Sequence, residues 1–128
     1  MNSDLTNKLL NKYPQIFVQH SLSPQETAMC WGFACGDGWY DLIDKLCSEI
    51  QNYVKYNKVE PLEATQVKEK FGGLCFYYYG GNEYLSGVIS MAESFSYMIC
   101  EDCGDPGKPN GGGWIRTQCN KCRESDDE

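Results

Sequence analysis

The most regular pattern in the chain is helical and follows residue 38. Apolar side chains recur at intervals of three and four, so they form one stripe of an α-helix. The stripe consists of Trp39, Leu42, Ile43, Leu46, Cys47, Ile50, Tyr53 and Val54. Asp37 precedes it and is predicted to be the N-cap, accepting a hydrogen bond from a free backbone N–H of the first turn. The opposite, charged face carries Asp44, Lys45, Glu49 and Lys55.

A period of two replaces the helical period between Thr65 and Tyr79. Polar and apolar positions alternate up to Phe71. This places Val67 and Phe71 on one face of the predicted strand and Lys68 on the opposite face. Gly72-Gly73 follows, and glycine supplies the positive φ that tight hairpin turns need. The pattern therefore predicts a β-hairpin. Because both faces of its second strand are apolar or aromatic, that strand is expected to be central or covered on both sides.

Two further helices and a less regular segment complete the predicted core, residues 1–98. A short helix begins near Ser3 and ends at Pro14, and Asn82 is expected to cap a second long helix. Its inward side chains are predicted to be Tyr84, Leu85, Val88, Ile89, Ala92, Phe95 and Ile99. Residues 16–18 could form an edge strand, and residues 30–38 read as strand and turn. The predicted class is α+β, with two long helices on a short antiparallel sheet.

The C-terminal third contains two Cys-x-x-Cys pairs separated by fifteen residues. They are Cys100, Cys103, Cys119 and Cys122, and this spacing is typical of a four-thiolate zinc site, with iron as the main competitor. Four protein ligands close the coordination sphere, so the metal is expected to be structural. The intervening loop and the β-prone "WIRTQ" favour a zinc ribbon or treble clef over residues 99–122. This module is expected to pack on the core within one structural domain, followed by an acidic tail at 123–128.

The remaining four cysteines lack such spacing. Cys47 and Cys75 lie on apolar patterns and are predicted to be small core residues. Cys30 and Cys35 are also expected to be buried thiols, with a second metal site or an oxidised bond as alternatives. No apolar run has the length of a signal peptide or a membrane span, which predicts a cytoplasmic protein with reduced thiols.

Charge and composition restrict the function. The 128 residues carry a formal charge of −7, which opposes broad binding to a phosphate backbone. His20 is the only histidine, so His-pair metal sites and most histidine-activated nucleophiles are excluded unless His20 itself is the base. The zinc-deaminase and phosphate-loop motifs are absent from the sequence. We therefore expect a protein that is not an enzyme.

Three short stretches contain the candidate contact residues. The first is a glycine-rich junction at the start of the long helix, where a helix N-terminus could attract an anion; it contains Asp37, Trp39 and Tyr40. The second is the strand face of Lys68 and Lys70. The third is the predicted return strand with Trp114 and Arg116. The alternative for the lysines is a solvated strand face, and the alternative for Trp114 is packing over the metal knuckle.

These stretches also carry a resemblance. The blocks "GFACGDGWYDLID", "QVKEKFGGLCFYY" and "CEDCGDPG…GGWIRTQC", spread over roughly residues 30 to 122, resemble a family of small proteins encoded by phages and prophages. The resemblance assigns no catalytic residue. It implies a protein that binds and inhibits or redirects a host protein, such as one of immune defence. A sponge for a small anionic nucleotide is the first alternative, and a nucleic-acid-binding zinc protein is the second.

Overall fold

The computed structural model describes residues 1–126, which fold as a mixture of helices and small sheets. Within this part of the chain the α-helices are α1 (Ser3–Lys12), α2 (Tyr40–Asn57), α3 (Glu83–Phe95) and α4 (Asn120–Asp126). The strands are β1 (Phe33–Ala34), β2 (Glu63–Lys70), β3 (Gly73–Tyr79), β4 (Lys108–Pro109) and β5 (Thr117–Gln118). Short 3-10 turns occupy Val18–Ser21, Met29–Trp31, Asp37–Trp39 and Ser96–Met98. The predicted combination of helix and sheet is confirmed.

The main sheet has the order β1-β2-β3 and is mixed, so the predicted short antiparallel sheet is only partly confirmed. β1 runs parallel to β2, with Phe33 opposite Val67, whereas β2 and β3 form the predicted antiparallel hairpin. A parallel neighbour requires a long crossover, which α2 and its flanking loops supply. The predicted edge strand at 16–18 is absent from the described structure, where residues 18–21 form a 3-10 turn.

The hairpin turn lies one residue earlier than predicted. Lys70 pairs with Gly73, so the two turn residues are Phe71 and Gly72, with φ of 52° and 86°. Positive φ at both positions is the geometry of a type I′ turn, which matches the twist of the flanking strands. The turn directs Phe71 into solvent, although the alternation had placed it with the buried Val67.

β3 is an edge strand, and only one of its faces is covered, which corrects the prediction of a central or doubly covered strand. Leu74 and Phe76 are buried, whereas Tyr77 and Tyr79 are exposed. The outer edge of β3 is nevertheless capped by the C-terminal part of α3 and by the 3-10 turn that follows it. The backbone N–H of Leu74 donates to Ser96 Oγ at 2.8 Å and that of Phe76 donates to Glu93 Oε2 at 2.8 Å. These bonds occupy two donors that an added strand would need.

The two long helices confirm one predicted cap and correct the other. Asn82 Oδ1 accepts from the Leu85 N–H at 3.1 Å and begins α3 as expected. Asp37 does not cap α2, whose N-cap is Trp39 without a side-chain bond. A 3-10 turn at 37–39 displaces the helix start, and the Asp37 carboxylate instead accepts from the backbone and side chain of Asn2 at 2.7 and 3.0 Å.

The core lies between α1, α2, α3 and one face of the main sheet. Trp39, Ile43, Cys47 and Ile50 of the α2 stripe are buried, as predicted, together with Val67 and Phe76 of the sheet. On α3 the buried residues are Leu85, Ile89 and Ala92, but Tyr84 and Phe95 are exposed, so their predicted inward orientation was wrong. Among residues 1–126, no helix is both long and apolar enough to cross a membrane.

Candidate metal centre and neighbouring cleft

The four predicted cysteines converge. The sulfur atoms of Cys100, Cys103, Cys119 and Cys122 all lie within 4.8 Å of one another, and Cys103 Sγ is 3.7 Å from Cys119 Sγ. Sulfurs bound to one tetrahedral ion at about 2.3 Å are separated by about 3.8 Å. The cluster therefore has the donor atoms and the spacing of a metal site.

Each cysteine pair is held by its own backbone geometry. In the first pair, the Gly104 N–H donates to the Cys100 carbonyl at 2.9 Å, and Gly104 has φ of 87°, which a residue with a side chain rarely adopts. In the second pair, the Cys122 N–H points at Cys119 Sγ from 3.4 Å. This N–H, together with the neighbouring thiols, lowers the pKa of the Cys119 thiol to about 7, while the contact with Cys119 raises the pKa of the Cys122 thiol.

The first knuckle rests on the glycine-rich stretch before α2. The Gly38 N–H donates to the Glu101 carbonyl at 2.7 Å, and the Trp39 indole donates to the Ile99 carbonyl at 2.9 Å. A Cβ on Gly38 would lie 2.5 Å from Gly104 N and closer still to the Cys100 carbonyl oxygen. Residues 35–38 are glycine-rich because their backbone lies directly against the backbone of residues 100–104, which leaves no room for a Cβ.

Glu101, between the first two cysteines, is a buried carboxylate. Its Oε2 accepts from the Gly36 N–H at 2.8 Å, while Oε1 has no hydrogen-bond partner among residues 1–126 and lies 3.7 Å from Arg116 Nη2. Burial raises the pKa of Glu101, and the Gly36 N–H and the Arg116 guanidinium oppose this shift. Glu101 thus ties the knuckle to residue 36 and to the second half of the module.

Arg116 is surrounded by acidic groups. Its Nη2 lies 2.7 Å from Asp102 Oδ1, and its Nη1 lies 3.4 Å from Asp126 Oδ2. Burial alone would lower the pKa of Arg116, but Asp102 and Glu101 more than compensate and raise it. Asp126 belongs to α4, so residues 123–126 of the predicted acidic tail are helical here, while residues 127 and 128 lie outside the described residues.

A cleft of about 350 Å³ lies beside the metal module, between the hairpin and the loop before β5. Its lining residues are Lys68, Glu69, Lys70, Phe71, Gly113, Trp114 and Ile115. Trp114 is 75% exposed and Phe71 is 71% exposed. The Thr117 hydroxyl of β5 donates to the Gly72 carbonyl at 2.7 Å and so joins the two walls of the cleft.

The cleft unites three of the seven candidate contact residues. Lys68, Lys70 and Trp114 line it, and Trp114 does not pack over the knuckle. Arg116 lies two residues after Trp114 and pairs with the carboxylates of Asp102 and Asp126 instead.

The glycine-rich junction before α2 does not join the cleft. Trp39 is fully buried, so it cannot meet a ligand, Tyr40 is half-buried against the core, and Asp37 binds Asn2. Core packing accounts for Trp39 and Tyr40, and an exposed pair of hydrogen bonds with Asn2 accounts for the placement of Asp37.

Phe71 and Glu101 are the residues that sequence reasoning missed. The positive φ of Phe71 could have been suspected from the following Gly72, because a type I′ turn needs two such positions. For Glu101, the sequence offers only an acidic pair between two cysteines, which does not distinguish a buried carboxylate from an exposed one.

The four other cysteines are unpaired thiols in the described structure. Cys35 and Cys47 are buried, while Cys30 and Cys75 are half-buried. Burial raises the pKa of Cys35 to about 12, so this thiol stays protonated at neutral pH. Their predicted role as packing residues fits Cys35 and Cys47 best.

Comparisons of the chain with known protein families, with curated proteins and with solved structures found no match. The four-cysteine cluster and the cleft are the features of the described structure that bear on function.

Proposed function

We propose that this chain is a non-catalytic binding protein whose C-terminal module is ordered by zinc and presents the cleft to a partner protein. The observation that carries the proposal is the exposure of Trp114 and Phe71, two large rings flanked by two lysines. Aromatic side chains are enriched at the centre of protein interfaces, and the polar rim around such a centre accommodates charged residues such as these lysines. The resemblance to phage-encoded proteins supports a host protein of the cytosol as the partner.

Zinc is the proposed metal because sulfur-only tetrahedral sites suit zinc and iron, and zinc is the ion of most structural four-cysteine modules. The order of elements favours a treble-clef-like arrangement over a ribbon. A knuckle at Cys100 and Cys103 is followed by the β4–β5 pair, and the second cysteine pair lies at the start of α4. The metal would fix β5, which contacts both Gly72 and the first knuckle.

The chemistry of the cleft favours a protein segment that carries both acidic and apolar side chains. Lys68 and Lys70 complement carboxylates, and the two rings offer apolar area. Phosphate recognition has less support, because Glu69 lies in the same wall and Arg116 is already paired with carboxylates. The overall charge of −7 also opposes nucleic-acid binding, because it repels a phosphate backbone.

Replacing Trp114 by alanine should weaken partner binding at least about tenfold, because a central aromatic anchor commonly accounts for more than 1.4 kcal/mol. Trp31→Ala is the matched control, since Trp31 is 73% exposed but lies outside the cleft. Proteins captured from host lysate by the wild type would be purified and their direct affinity measured by calorimetry.

The proposal requires that Trp114→Ala and Lys68→Glu both weaken the purified complex while Trp31→Ala leaves it unchanged. Equal affinities for the wild type and the two cleft variants would contradict it. So would a host lysate from which no protein binds directly.

A small anionic nucleotide is the second candidate ligand, supported by the meeting of Lys68, Lys70 and Trp114 in one cleft of suitable size. In this case cyclic and linear nucleotides should raise the unfolding temperature of the wild type but not of Trp114→Ala. A nucleotide at a free concentration of 100 times its dissociation constant would stabilise the folded protein by about 2.7 kcal/mol, which is readily detected. If no nucleotide in the panel raises the unfolding temperature of the wild type, this candidate function is excluded.

A further inference from the structure

The four cysteines of the metal cluster differ in their access to solvent. Cys103 is exposed, whereas Cys100 is fully buried. Cys119 and Cys122 are half-buried. The contact of 3.7 Å between Cys103 Sγ and Cys119 Sγ joins the two cysteine pairs, and it lies at the protein surface. Because an oxidant in solution attacks the thiolate that it can reach, oxidation of the cluster is expected to begin at Cys103.

We propose that Cys103 and Cys119 form a modification site, at which hydrogen peroxide converts two metal-binding thiolates into a disulfide. The Cys103 sulfur attacks one peroxide oxygen, the O–O bond breaks, and Cys103 becomes a sulfenic acid while hydroxide leaves. The Cys119 thiolate then attacks the sulfenic sulfur, the S–O bond breaks, and a second hydroxide leaves. Two electrons pass from the sulfurs to the peroxide oxygens, and both hydroxides take protons from solvent to become water.

The surroundings of the cluster favour Cys119 over Cys100 as the second sulfur. A disulfide holds its sulfurs at about 2.0 Å, so the contact of 3.7 Å must shorten by about 1.7 Å. The backbone of Cys100 is fixed on both sides, because its N–H donates to the Asp105 carbonyl at 2.7 Å and its carbonyl accepts from the Gly104 N–H at 2.9 Å. The segment between Cys103 and Cys119 contains three consecutive glycines, which gives these two residues more freedom to approach.

The disulfide would close the same segment of chain that the metal closes. Residues 104–118 lie between the two sulfurs and include β4, β5 and the cleft residue Trp114. Two thiolates remain after oxidation, which is too few for a closed four-sulfur site, so the metal is expected to leave. The oxidised module thus loses its metal and keeps its ends joined. In a reducing cytosol this state is transient, because thiols reverse it. The reaction depends on the four-cysteine site and not on a partner protein.

Disulfide mapping of the metal-loaded protein after brief treatment with hydrogen peroxide tests this. Remaining thiols are alkylated, and the denatured chain is cut between all four cysteines by trypsin and a Glu-specific protease, after Glu101, Arg116 and Lys121. The expected product links Cys103 to Cys119, appears together with one released metal ion per chain, and returns to thiols when a reductant is added. Any other pairing within the cluster, or a treated chain that keeps its metal and all four thiols, would overturn the proposal.

Hydrogen exchange separates the effect of the disulfide from the loss of metal. The oxidised protein and a reduced sample are compared in the same chelator, so that neither holds metal. Amides of 108–118 should exchange at least about tenfold more slowly in the oxidised sample, because the bond closes a loop of fifteen residues. Equal exchange in the two samples would contradict a disulfide that keeps the module closed.

Cys30→Ser is the matched control, because Cys30 is a half-buried thiol outside the cluster. This variant should release its metal at the rate of the wild type and should form the same disulfide. Release that is slowed severalfold in Cys30→Ser would show that oxidation begins outside the cluster, which would overturn the assignment to Cys103.

Discussion

Removal of the metal should unfold the C-terminal module and leave the hairpin and the long helices partly protected. Binding of a structural zinc ion contributes on the order of 10 kcal/mol to the order of its own segment. The module docks on residues 36–39 through its first knuckle, but it has little regular structure of its own. Its two strands, β4 and β5, share only two residue pairs, and the loop between them contains three consecutive glycines. Without the ion, backbone hydrogen bonds hold each cysteine pair, but no covalent bond joins the thiols of one pair to those of the other, which lie within 4.8 Å.

Hydrogen exchange before and after treatment with a chelator measures this effect. Backbone amides of 99–126 should lose their protection, while those of β2 and β3 should keep most of it. Cys103→Ser should have the same effect as the chelator, and Cys30→Ser, outside the cluster, serves as the control. A chelated protein in which residues 99–126 exchange as slowly as before would contradict a metal-ordered module.

Gly38→Ala should strongly destabilise the protein. The added Cβ would lie 2.7 Å from the Glu101 carbonyl carbon and 2.5 Å from Gly104 N, and both atoms belong to backbone that cannot rotate away. The first knuckle must then move off the start of α2, which breaks the bond from the Gly38 N–H to the Glu101 carbonyl. We expect a loss of about 3 kcal/mol or more in the free energy of unfolding.

Denaturant unfolding of the metal-loaded protein gives this value. Gly112→Ala is the matched control, because a Cβ there meets no atom within 4 Å, and its effect should stay within about 0.5 kcal/mol. If Gly38→Ala were as stable as Gly112→Ala, the close docking of the knuckle on residues 36–38 would be wrong.

Local patterns predicted the features whose causes are local. The α2 stripe, the Asn82 cap and the β2–β3 hairpin depend on residues close in sequence, and all three are present. The cysteine cluster was also predictable, since ligand spacing reflects the reach of a knuckle around one ion.

Features set by distant segments could not be predicted in the same way. Asp37 has the residue type of a cap, but the docking of Glu101 on residues 36–38 leaves it bonded to Asn2. The apolar face of β3 suggested burial, yet β1 joins the sheet on the side of β2 and leaves β3 at the edge.

For the candidate contact residues too, the sequence could not show which side chains are accessible to a partner. Trp39 and Lys68 both belong to distinctive sequence blocks, but only tertiary packing decides that the indole is buried and the lysine lines a cleft. Arg116 has the charge that a phosphate ligand needs, and its pairing with Asp102 and Asp126 becomes visible only when α4 and the first knuckle are in place.

X-ray absorption spectroscopy of the purified protein, with metal content determined on the same sample, tests the central assignment most directly. One zinc ion per chain with four sulfur neighbours at about 2.3 Å is the predicted result. A chain purified with neither zinc nor iron, or a metal whose neighbours include oxygen or nitrogen in place of a cysteine sulfur, would contradict the closed four-cysteine site.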